Sequence, residues 1–311
     1  MYLNMIELRK QTSAFSTEMI IDGLFESGSL NMVASEGGKG KTTFCLQMVS
    51  SILSGNDFFG MKTIRRNILW INNELTPSLL VQRWDCIKKD LDIAEDSFVL
   101  NNFDFDLSSE ESLNKLHEYC LLNEINLIFI DSFVASLNGY DENDNGSISH
   151  LLKRLRNTFC KDGITIVFLH HLGKVQKLSH SYKACQLDPA NIRGASCIKD
   201  SCDNILMIAE NFDSSRFIKK VKSRNFQSDW QCKFEMKDGK FESTTSFELP
   251  VEENIINLLK VSEMKQNELC AKVGKDRNLV RQVLKDNEGK LWNYKKSGNA
   301  YVYFLIEDEN E

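Results

Sequence analysis

Prolines are scarce, three in 311 residues, and no stretch is of low complexity. Long proline-rich or polar linkers are therefore not expected. No apolar run reaches the roughly 18 residues that span a bilayer, and Met1 to Phe15 lacks the apolar centre of a signal peptide. The nine cysteines are odd in number and none forms a C-x-x-C pair, so neither a zinc site nor a disulfide framework is indicated. A reducing cytoplasm is the expected compartment. Basic residues do not dominate either: the net charge is −6. That excludes a chain coated in positive charge but leaves room for local basic surfaces.

What remains is an ordinary globular composition, 42% hydrophobic and 26% charged, long enough for one large domain and one small one. Short, continuously apolar runs read as buried strands at Ser29 to Ala34, Asn67 to Ile71, Asn126 to Ile130, Ile164 to Leu169 and Asn204 to Ile208. Between them, Thr42 to Ser54 and Leu75 to Leu91 read as helices, and Ile148, Leu151, Leu152, Leu155 and Phe159 recur at helical spacing. Apolar strands alternating with amphipathic helices predict an α/β fold with a parallel sheet covered on both faces. Phe217 to Val221 and Gln231 to Phe241, the latter broken by an Asp238-Gly239 turn, predict antiparallel strands. Pro250 marks a boundary, giving domains at 1–248 and 249–311.

The strongest motif follows the first strand and opens a helix: Ser35-Glu-Gly-Gly-Lys-Gly-Lys-Thr42. This context suits a phosphate-binding loop. The glycines turn backbone amides inward, Lys41 reaches the β and γ oxygens of a nucleotide, Thr42 offers magnesium a hydroxyl, and the helix N-terminus favours the anion. Ser35, Gly37, Gly38, Lys39, Gly40, Lys41, Thr42 and Thr43 are the expected ATP-binding set. Ser35 stands where the motif usually has its first glycine, a position that tolerates a small residue in ordinary backbone geometry. The competing reading is a glycine-rich turn with an accidental Gly-Lys-Thr.

An ATPase also needs a carboxylate for the magnesium shell, and Asp131 ends the strand before it, although a strand-end Asp also caps turns. Glu74, just beyond Asn67 to Ile71, is placed to polarise an attacking water or to be a solvated loop acid.

The order of phosphate loop, strand-end Glu, strand-end Asp and then His170-His171 resembles the RecA-fold ATPases. Within them the chain is similar to the RepA-type hexameric replicative helicases of plasmids and phages. Gly139-Tyr-Asp-Glu-Asn143, Leu169-His-His-Leu-Gly-Lys174 and Arg193-Gly-Ala-Ser196 resemble segments of that group, and the likeness spans about Met19 to Phe241. The resemblance implies that Glu74 is the catalytic carboxylate and that His171 or His170 senses the γ-phosphate. Buried structural histidines are the alternative. It implies that Arg193 lies near the nucleotide, and that Lys222 and Arg224 of Val221-Lys-Ser-Arg-Asn225 reach a neighbouring subunit's γ-phosphate. As residues alone, Lys222 and Arg224 equally fit solvated strand charges. It further implies ATP and Mg2+ at the interfaces of a homo-oligomer, a hexamer, with loops touching single-stranded DNA in a central pore. Lys174 and Lys177, in a long polar stretch from Leu172 to Ile192, fit phosphate tracking or a plain surface loop.

Beyond the boundary, helical patterns at Val251 to Leu259, Gln266 to Val273 and Asp276 to Lys285 precede a hairpin of Leu291 to Tyr294 with Tyr301 to Leu305. This pattern looks like a winged helix-turn-helix. Arg277, Arg281 and Lys285 share one helix face and Lys295 and Lys296 lie on the wing, an arrangement suited to duplex DNA. Leu279, Val280 and Val283 lie on a largely different face, available for the core. Such domains also serve as protein-interaction modules, and this one ends in acidic Glu307 to Glu311. Three functions follow: a DNA motor, an ATP-switched DNA-binding regulator or recombination mediator that does not unwind DNA, or a non-enzymatic assembly protein that binds ATP as a structural ligand.

Overall fold

The computed structural model describes residues 5, 18–89, 91, 93, 95–101, 103–173, 187–210, 214–224, 230–244, 251, 255–256, 258–259, 262–274, 276–298 and 300–306. The chain divides into two compact units, Met1–Phe247 and Glu248–Glu311.

In the first unit, β1 (Met19–Ile21) and β2 (Phe25–Glu26) pair as a small antiparallel ribbon. A nine-stranded sheet follows, built from β3 (Leu30–Ser35), β4 (Asn67–Asn72), β5 (Phe98–Leu100), β6 (Ile125–Asp131), β7 (Thr165–His171), β8 (Asn204–Glu210), β9 (Arg216–Ser223), β10 (Gln231–Lys237) and β11 (Lys240–Ser243). Their order is β11-β10-β9-β8-β3-β7-β6-β4-β5. Strands from β8 to β5 run parallel, and β9 to β11 are antiparallel additions at one edge.

The continuous apolar runs are explained by burial on both faces. Along β6, Leu127 and Phe129 join one core with Phe44, Trp70 and Trp84, whereas Ile128 and Ile130 join a second with Leu113, Leu151 and Ile198. The first core lies under α1 (Lys41–Ser54) and α2 (Pro77–Lys88); the second lies under α3 (Glu110–Leu122), α4 (Asn145–Thr158) and α5 (Ser196–Ser201). Helix α2 is shorter than the predicted Leu75 to Leu91. Thr76 stands at its N-cap position without a side-chain capping bond, Pro77 fixes its first turn, and it ends at Lys88. Helix α3 and strand β5 had no sequence prediction. The helix is mostly exposed, burying only Leu113, Leu116 and Cys120.

In the second unit, α6 (Gln266–Val273) ends at Gly274 in the left-handed region, φ 69°. Asp276 then caps α7 (Arg277–Asp286), accepting from the amides of Asn278 and Leu279 at 2.9 and 3.0 Å. Strands β12 (Met264–Lys265), β13 (Trp292–Ser297) and β14 (Ala300–Leu305) form a sheet in the order β12-β14-β13. Trp292 is fully buried and donates its indole N–H to the Leu284 carbonyl at 2.9 Å. Leu279 does not join the core expected for it. Val280, Val283 and Leu284 take the inward arc, and residue 279, about 100° round from 280, is left 49% exposed.

Among the described residues, no helix is long and apolar enough to cross a membrane.

Candidate functional site

Strand register assembles the site. Ser35 lies beside His171, and Asn72 beside Asp131, so the carboxyl ends of β3, β7, β4 and β6 finish at one level. In parallel α/β sheets that end is where ligands bind. The phosphate loop spans from β3 into α1. Gly38 and Gly40 adopt φ of 73° and 95°, which only glycine holds without strain. At Gly40 a Cβ would also lie 2.6 Å from the Phe241 ring, whereas Gly37 and Gly38 have nothing within 4 Å of theirs.

Lys41 is buried, and its ammonium is bonded to the Ser35 and Glu36 carbonyls, the Ser35 hydroxyl and Nδ1 of His171, each at 3.2 to 3.3 Å. Burial holds its pKa below the usual value, partly offset by the charges of Glu74 and Asp131. Main-chain carbonyls and a hydroxyl are among the partners of this ammonium, and the site suits an anion such as a phosphate. Ser35, the departure from the motif, supplies this lysine with a hydroxyl that a glycine lacks.

Thr42 donates its hydroxyl to Asp131 Oδ2 at 2.8 Å. Burial pushes the Asp131 carboxyl up to about 6, against the Thr42 hydrogen bond. These two hard oxygen donors, side by side next to the loop, fit Mg2+; when bound, the metal supplies charge neutralisation for the phosphates. Thr43, next along α1, is buried.

Glu74 is held by two asparagines that read in the sequence as mere spacers. Asn72 closes a turn onto Leu75, accepting from its amide at 3.1 Å and donating to its carbonyl at 2.7 Å. Asn73 donates to the Phe105 carbonyl and the Ser136 hydroxyl at 2.6 and 3.1 Å. The Glu74 carboxylate lies 3.6 Å from His171 Nε2. The His171 contact leads in holding its pKa down at about 2, over the opposing effect of burial. It is thus ionised across the neutral range and able to accept a hydrogen bond from a water.

His170 is fully buried on the other face. Its Nε2 lies 2.8 Å from the Arg193 carbonyl, and burial holds its pKa at about 4. The Arg193 side chain pairs with Glu142 at 2.5 Å and is not brought to the phosphate loop. Lys222 and Arg224 also stand apart. Asn204, their neighbour in register, is level with Asn31 at the start of β3, at the far end of that strand from the loop. There Lys222 donates to the Lys199 and Asp200 carbonyls at 2.7 and 2.9 Å, and Arg224 to the Asp200 carbonyl at 2.8 Å and to Asp203 at 3.2 Å.

Lys174 and Lys177 lie outside the described residues. In the second unit Arg277, Arg281, Lys285 and Lys296 are exposed, and Lys295 is paired with Glu263 at 2.6 Å. Cys197 is half-buried, its backbone N–H bonded to Asn145 at the start of α4. Sequence reasoning missed Arg83, whose charge reaches Asp131. The available signal was a cation within the Leu80, Trp84 and Ile87 stripe of α2.

A family model described as an AAA domain matches residues 8–177. Among curated proteins none matches the chain. Among solved structures, a KaiC-like protein, PH0186, from the hyperthermophilic archaeon Pyrococcus horikoshii OT3 is similar at a TM-score of 0.52 and 14% identity, over 73% of this chain and 94% of that one. The RadB recombinase aligns at a TM-score of 0.48 and 18% identity, over 70% of this chain and 92% of that one.

Proposed function

The chain belongs to the AAA domain family, a RecA-like P-loop ATPase, and from that premise we propose an oligomeric, DNA-associated motor that resembles a small hexameric replicative helicase. In this reading residues 1–248 form the ATPase and residues 249–311 a winged helix. Magnesium sits on Thr42 and Asp131, Lys41 holds the β and γ oxygens, Glu74 orients the attacking water, and His171 reads the γ-phosphate.

The observation that carries the oligomeric part is the separation of charges. The phosphate loop lies at the carboxyl end of β3, and Lys222 and Arg224 lie level with its start. One copy therefore offers a nucleotide site at one end of the sheet and cations at the other. Copies stacked head to tail would bring the two together, a heterologous contact that closes into a ring or extends as a filament.

The second reading, an ATP-switched regulator or recombination mediator, is favoured by α7. Its exposed Arg277, Arg281 and Lys285 suit duplex DNA better than a single strand.

The test is ATP turnover on size-fractionated protein, with and without single-stranded DNA, followed by unwinding of a forked duplex. The motor reading expects turnover in the oligomeric fraction, stimulated by single strands. Stimulated turnover without unwinding selects the regulator. Equal, DNA-independent turnover by a monomer overturns both.

A further inference from the structure

A cluster on the outer side of the phosphate loop is not explained by the motif. Lys39 is paired with Glu210 at the end of β8, and Arg216 at the start of β9 binds the same carboxylate at 2.6 Å. Arg216 also donates from Nε to the main-chain carbonyl of Lys39 at 3.3 Å. All three side chains are largely covered, with Arg216 only 14% exposed. Burial pushes the Glu210 carboxyl up, but the two cations outweigh it and hold it below its usual value.

The bond to the Lys39 carbonyl matters because of peptide geometry. The Lys39–Gly40 peptide is trans, so its C=O and N–H point in opposite directions. Anchoring the carbonyl outward on Arg216 turns the Gly40 N–H inward, toward the side where loop amides meet a phosphate. The Phe241 ring packs against Gly40, so closely that a Cβ there would lie 2.6 Å from it.

We propose that Arg216, steadied by Glu210, is a positioning residue that presets the Gly40 amide for the β-phosphate of ATP. The inference rests on the ATPase reading of the same loop. Arg216 acts through the loop backbone, so its effect falls on nucleotide affinity and not on the hydrolytic step.

The test compares R216M with R216Q, which keeps an N–H donor, in the full-length protein. Binding of a fluorescent ATP analogue with Mg2+, KM, kcat and the ligand-free melting temperature are measured. R216M is expected to raise Kd and KM about tenfold with kcat within about twofold, and R216Q to recover most of the affinity. If R216M does not fold, E210Q takes its place, with a rise of about threefold in Kd expected from a loosened Arg216. A folded R216M or E210Q that binds the analogue like wild type overturns the proposal. So does a loss of kcat equal to the rise in KM, which marks general damage. Failure of the ATPase reading looks different: the wild-type protein itself would bind no analogue.

Discussion

His170 and His171, adjacent at the end of β7, reach opposite faces of the sheet. His171 stands 3.3 Å from Lys41 and 3.6 Å from Glu74, beside the phosphate loop. His170 sits 2.8 Å from the Arg193 carbonyl, against the segment that Glu142 holds. The alternation of a β-strand puts two neighbours on two sides, so one strand end touches both the nucleotide site and the loops across the sheet.

Replacing Glu74 separates binding from hydrolysis. Glu74→Gln keeps the shape of the side chain and removes the charge that the proposed function assigns to orienting water. Turnover should fall by about two orders of magnitude or more, while affinity for ATP stays within a few-fold. Steady-state kinetics beside equilibrium binding checks this; unchanged turnover would remove Glu74 from the mechanism.

Buried His170 makes stability depend on pH. Its pKa is about 4 in the folded chain, against an ordinary value of 6.5. The unfolded chain therefore binds the proton first, and stability is lost as pH falls from about 6.5 to about 4. The loss approaches about 3 kcal/mol at the lower end. Asp131, raised to about 6 by burial, works in the opposite direction in the same range. The difference between wild type and His170→Leu isolates the histidine. Urea unfolding at pH 7 and pH 5 should show the wild type losing more stability than the variant.

Much of this site was legible because its chemistry is local. Strand, glycine loop and helix at residues 30–54 follow one another in the chain, and Asp131 and His171 each end an apolar run. Arg216 and Phe241 were not legible, because each acts across the fold. Phe241 exchanges two hydrogen bonds with Gln47, at 2.7 and 2.9 Å, across 194 positions. No pattern in either segment signals the other. Leu279 shows a different limit: helical spacing gives the centre of a buried arc and not its edge.

Asp203 is a hub of a kind that a single substitution should expose. It accepts the Leu30 amide at 2.9 Å and pairs with Arg156 at 3.0 Å and Arg224 at 3.2 Å, at 6% exposure. Asp203→Ala leaves a buried amide without its acceptor and two arginines without their carboxylate. A cost of about 3 kcal/mol is expected, read as a lower urea midpoint with an unchanged slope. A change under about 0.5 kcal/mol would show that solvent replaces these contacts.

If Arg224 completes a neighbour's site, two inactive variants should restore each other. Arg224→Ala carries an intact Glu74, and Glu74→Gln carries an intact Arg224. Each alone should form assemblies with little turnover, because every interface lacks one group. In an equal mixture, a head-to-tail contact with Glu74 on one side and Arg224 on the other arises at about one interface in four. Turnover in the mixture should therefore reach about a quarter of wild type, provided subunits exchange before the assay. If both groups serve the same copy, no contact restores them, and the mixture stays as inactive as its parts. Arg224→Ala that retains full turnover by itself would mean that its bonds to Asp200 and Asp203 are structural only.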